Sequence, residues 1–116
     1  MKMKTSLFLL LMVTGAAISA DHSSMAMPDK GASASSQEYM SGMTTMHDKM
    51  MEGVKDPDPD KAFAKGMTAH HEGAIAMAET ELKYGKDPEM RKLAENIIKA
   101  QKGEIEMMNK WLSNNK

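Results

Sequence analysis

Two acid-proline-acid triplets, Asp58-Pro59-Asp60 and Asp87-Pro88-Glu89, constrain the fold of this chain more than any other feature. In each, the first Asp can cap a helix N-terminus and the Pro fits the first helical position, where no N–H is needed. The second acid then sits favourably in the first turn. The spacing predicts one helix from about Pro59 to Tyr84, stopping at Gly85, and another from Pro88 to about Leu112. At ~1.5 Å per residue each is about 40 Å long. Equal lengths and the short Gly85 to Asp87 link predict an antiparallel hairpin.

A third helical pattern precedes them, from Gln37 to Val54, although Gly42 and Gly53 each weaken it by about 1 kcal/mol relative to Ala. Lys55-Asp56-Pro57-Asp58 breaks it. The expected fold is therefore all-α: the long hairpin plus a shorter N-terminal helix. Met90, Ala94, Ile97, Gln101, Ile105, Met108 and Leu112 form the expected buried face of the last helix. Three helices can leave one apolar side open, which a homodimer would complete into a four-helix or larger bundle.

The 116 residues suffice for one small domain. A basic start with Lys2 and Lys4, an apolar run from Leu7 to Val13 and a small-residue tail from Gly15 to Ala20 read as a secretory signal over residues 1–20. That run is shorter than the ~20 residues of a membrane span, so the expected mature protein is exported, periplasmic and not membrane-bound. Residues 21–36, rich in Ser, Ala and Gly, read as a flexible tail, leaving 37–116 as the helical domain. In that tail His22, Met25 and Met27 are inert or loose metal donors. Without Lys2 and Lys4, the 15 basic residues become 13 against 16 acidic ones, a charge of −3 that argues against nucleic-acid binding. There is no cysteine, hence neither a disulfide nor a thiol nucleophile.

Methionine is the outlier, with 15 residues against two Phe, two Tyr and one Trp. Methionine can simply fill core gaps, so placement matters. On the second helix Phe63, Met67, His70, His71, Ala74, Met77 and Ala78 fall within an arc of about 120°. On the first, Met40, Met43, His47, Met50, Met51 and Val54 fall within about 100°. Imidazole and thioether are soft or borderline donors suited to copper, whereas iron, manganese and calcium favour carboxylates. Met67 lies three and four residues before His70 and His71, the spacings at which helical side chains meet.

An antiparallel register places His70 and His71 opposite Gln101 and Lys102, with Glu104 one turn away. Gln101 and Glu104 are then either partners for the free nitrogen of a metal-bound imidazole or a half-exposed helix edge. Across the first link, Met43 is expected to face His70 and Met46 to face Met67. The Glu-x-x-His pattern of di-iron bundles and the His-Glu-x-x-His of zinc proteases are both absent, and no Ser/His/Asp grouping is suggested.

The segments FAKGMTAHHEGAIAMAE and YGKDPEMRKLAENIIKAQKGEIEMM, with Trp111-Leu112, resemble the CopM-like periplasmic copper-binding proteins. These belong to a ferritin-like helical family long catalogued only as a domain of unknown function. The resemblance covers about half the chain and rests on the Met-x-x-His-His segment and the Ala-x-x-Ile-x-x-x-Gln-x-x-Glu-Ile run. It implies copper binding for resistance or trafficking, with Met67, His70, His71 and Met77 at the matching positions. Met40, Met43, His47, Met50 and Met51 are candidates by spacing alone.

The expected function is to hold Cu(I), and also Ag(I), for tolerance or for delivery to an exporter or another copper protein. Thioethers favour Cu(I) and survive where thiols would oxidise. The competing reading is a Met-rich helical module that docks a partner protein. A copper-dependent oxidase is a distant third, and the chain is read as not an enzyme. Cleavage after Ser19 would start the mature chain Ala20-Asp21-His22, whose amine, two amides and imidazole suit square-planar Cu(II). Cleavage after Ala20 would not.

Overall fold

The computed structural model describes residues 31–116, which form three helices: α1 (Ala34–Gly53), α2 (Pro59–Tyr84) and α3 (Pro88–Asn114). The fold is all-α, and no strand occurs among the described residues. Both triplets act as expected. Asp58 Oδ1 accepts from the N–H groups of Asp60 (2.8 Å) and Lys61 (3.1 Å), and Asp87 Oδ2 accepts from Met90 N–H at 3.0 Å.

Two boundaries differ from expectation, and a third falls where expected but in an unexpected backbone conformation. Helix α1 begins at Ala34, within the stretch expected to be tail, because the Ser33 hydroxyl caps it by accepting from Ser36 N–H at 3.2 Å. Helix α3 runs past Leu112 to Asn114. Gly85 ends α2 in extended backbone (φ −72°, ψ 151°), not in the left-handed conformation common at helix ends. The carbonyls of that end are satisfied by the Arg91 guanidinium, which donates to Leu82 O (2.8 Å) and Gly85 O (2.9 Å). The expected signal peptide and the residues His22, Met25 and Met27 lie outside the described residues.

Helix α2 is central; α1 and α3 pack against it on opposite sides and not against each other. Small residues set both seams. Gly66, Ala69, Gly73, Ala76 and Thr80 recur every three or four positions on α2 and form the stripe against α1. There, an added Cβ on Gly66 would lie 2.9 Å from Val54 Cγ1, and one on Gly53 would lie 2.9 Å from Lys65 Cβ. About 180° around α2, Ala64, Thr68, His71 and Ala78 form the stripe against α3. Ala78, Ala94 and Met108 are buried there, and Ile97, Gln101, Ile105 and Leu112 are half-buried. Met90, expected in the core, is 48% exposed at the edge of this seam.

The α1–α2 register corrects the expected one by about two turns. Met46 packs on Gly73, not on Met67, and Lys49 pairs with Glu72 at 3.4 Å. Met43 therefore comes level with Met77, and Met50 with His70. The link causes the shift because it doubles back along α2 instead of turning tightly. Lys65 Nζ holds the Asp56 carboxylate at 2.7 Å, Asp58 N–H donates to Asp56 at 3.0 Å, and Gly53 rests beside Lys65 and Gly66.

Candidate metal centre

The two packing stripes on α2 leave two free sides between them. One carries Lys65, Glu72 and Glu79, of which Glu72 and Glu79 line, with Glu38, Thr45 and Lys83, a groove of about 520 Å³. The other carries Phe63, Met67, His70, Ala74 and Met77. On α1 the stripe against α2 is Tyr39, Gly42, Met46 and Gly53, which turns Met43, His47 and Met50 onto that same second side. The Met-His stripes of α1 and α2 thus lie side by side on an open face and do not clasp each other across a core. Glycine and alanine give the closest helix approach, so the longer thioethers flank the seam.

The expected donors separate into groups. Met43 (41% exposed) and Met77 (46%) share one level of the open face, with His47 exposed beside them. Half-buried Met50 and exposed His70 share the next level. Met67, half-buried, lies one turn before His71 and towards the α3 seam. Met40, half-buried, and Met51, 49% exposed, lie on α1 beyond its contact stripe with α2. The adjacent histidines diverge: their ring centroids are 6.0 Å apart with planes at 63°. His70 stays on the open face, while His71, 8% exposed, enters the α2–α3 seam.

His71 has the most specific environment. Its Nε2 is bonded to the Glu104 carboxylate, whereas its Nδ1 is buried and has no hydrogen-bond partner. Leaving such an atom unpaired ordinarily costs about 1–3 kcal/mol. An imidazole oriented through one nitrogen by a carboxylate, with the other nitrogen free, is how metal-ligating histidines are commonly held. Of the two expected outer partners, Glu104 takes that position. Gln101 does not; its Oε1 is also buried and unpaired. One turn along the seam, Thr68 Oγ1 donates to Ala64 O at 2.7 Å and lies 3.8 Å from Met108 Sδ. Met108, read from sequence as core only, therefore adds a buried thioether near the His71 level. Its i+4 relation to Glu104 was the available signal.

Among the described residues no three His, Cys, Asp or Glu side chains converge in a group able to hold a metal. A metal held here would draw on sulfur as well as nitrogen. At the far end of the open face Tyr39 is 3.5 Å from Glu81 through its hydroxyl; burial first, and the Glu81 charge second, push its ionisation up.

A family model described as "Domain of unknown function (DUF305)" matches residues 7–112. An uncharacterised protein of Acanthamoeba polyphaga mimivirus is 40% identical over 57 residues, which are 49% of this chain and 38% of that protein. The match thus spans well under half of the relative's length.

Proposed function

The chain belongs to the DUF305 family, and from that premise we propose that it is a CopM-like copper-binding protein. It holds Cu(I), with Ag(I) as a secondary ion, on thioethers and imidazoles for tolerance or for delivery to an exporter or another copper protein. The observation that carries the reading is His71: buried, oriented by Glu104 through Nε2, and free at Nδ1, with Met67 one turn before it. Support comes from the register that sets Met43 level with Met77 and Met50 level with His70. On the single chain these donors form a second set of soft ligands beside the His71 level. The periplasmic location rests on the signal-like start of the chain, and the Cu(II) set at Ala20-Asp21-His22 likewise lies outside the described residues.

The test is competition with a Cu(I) chelator. Replacing Met67, His70 and His71 together should abolish the tightest site while the helical circular dichroism persists. Unchanged affinity in the triple variant would overturn the assignment. A second reading, a docking module without a metal role, is favoured by the apolar residues on the open face, and it predicts no stoichiometric copper binding in the same titration.

A further inference from the structure

The open face carries more than the candidate donors. Phe63 and Met107 keep 67% and 66% of their surface in solvent, and Met77, Met90, Leu93 and Trp111 keep between 39% and 49%. Helical position and two shared cavities, one under Leu93 and Met77 and one under Phe63 and Trp111, put all six on the same side of the three-helix layer. Soluble domains bury their apolar faces between two layers. The described residues form one layer, and its interior is thin. Among the described residues no side chain is less than 2% exposed, and the buried apolar residues are four alanines and Met108.

We infer that this face is the two-fold interface with a second copy of the same chain, closing two three-helix layers into one six-helix bundle. Three observations choose a second copy over other occupants. First, the area fits: at about 150–250 Å² per large side chain, the six residues alone expose roughly 600 Å². A standard interface takes ~800 Å² from each partner. Second, the face is compatible with itself in charge. Of its carboxylates, Glu81 and Glu104 are engaged by Tyr39 and His71 of their own chain and Asp60 lies at its end beside Phe63, while Lys83 of α2 lies on the opposite side. Third, the cover supplies the core that the described helices lack, and a second copy is the partner present whenever the chain is made. A two-fold arrangement buries both faces at once and leaves neither open. The inference concerns the metal-free protein and does not rest on the copper reading.

Sedimentation equilibrium of the metal-free protein across the micromolar range should give twice the chain mass. Leu93→Glu and Met107→Glu, each placing an unpaired carboxylate in the contact, should weaken association about tenfold or more. Glu79→Gln, on the charged side, should leave it unchanged. As a readout on the wild type, peroxide oxidation of Met77, Met90 and Met107, followed by mass spectrometry, should slow as the protein concentration rises. A monomer throughout that range overturns the inference. So do a dimer broken by Glu79→Gln but not by the face variants, oxidation independent of concentration, and a monomer that binds phosphatidylcholine vesicles through this face.

Discussion

Replacing Gly73 with alanine should destabilise the protein, although the same change at Gly103 should stabilise it. Both glycines lie inside helices, where alanine is favoured by about 0.5–1 kcal/mol. At Gly103 nothing lies within 4 Å of an added Cβ, so that preference should appear in full. At Gly73 the added Cβ would lie 2.6 Å from Met46 Cγ and 2.9 Å from Met46 Cβ. The thioether end of Met46 can swing away, but its Cβ moves only with the α1 backbone. Overpacking of that kind costs about 1–3 kcal/mol. Set against the helix preference, Gly73→Ala should lose about 1–2 kcal/mol and Gly103→Ala should gain somewhat under 1. For a domain of this size 1 kcal/mol moves the melting temperature by roughly 4–8 °C. Thermal unfolding followed by circular dichroism, at one fixed protein concentration and without metal, measures both. A Gly73→Ala protein as stable as Gly103→Ala would show that Met46 does not seat on Gly73. The level matching of Met43 with Met77 and Met50 with His70 would fall with it.

Competition should place Cu(I) and Ag(I) well above Zn(II), because neutral thioethers are poor zinc ligands; zinc binding as tightly in the same assay would remove the sulfur-based reading. The α1–α2 link should be acid-sensitive. The hydrogen bond from Lys65, and next the Asp58 N–H, hold the Asp56 carboxyl below the ordinary Asp value. A depressed carboxyl stabilises the fold above its unfolded pKa of about 3.9 and loses that contribution as pH falls through the lower folded value. Asp56→Asn should therefore be less stable than wild type in urea unfolding at neutral pH, with the gap closing in strong acid. A gap independent of pH would refute the linkage.

The helices were legible because their start signals are local: an Asp that caps and a Pro that needs no N–H act without any partner. The hairpin register also came close, and it brought Glu104 within a turn of its place beside His71. The α1–α2 register was not legible, since it depends on how near two backbones approach. Gly42 and Gly53 read in sequence as weak helix positions, Gly66 and Gly73 drew no reading, and only a neighbouring helix gives the four a role. For the same reason the Met-His stripes give no sign that Met43, Met77 and His70 lie on an open face while His71 enters the α3 seam. Periodicity finds a face that differs from the rest of a helix, and it does not say whether another helix covers that face. The start of α1 was missed because Ala34-Ser35-Ser36 has no apolar period, yet one serine cap is enough to begin it.

Because the two outer helices meet only the central one, the molecule divides energetically along its α1 seam. Helix α1 has no buried residue of its own. Its attachments include the Met46 seat on Gly73, the approach of Gly53 to Lys65 and Gly66, the exposed pairs Glu38–Lys83 and Lys49–Glu72, and the Tyr39–Glu81 contact. Releasing it leaves the α2–α3 hairpin and the His71–Glu104 pair intact, so α1 is the segment with the smallest opening free energy. Amide hydrogens from residues 34–53 should exchange first, in a block. Met43, His47 and Met50 ride on that block, so three soft donors can swing away from Met77 and His70 in one step while the rest of the fold stays closed.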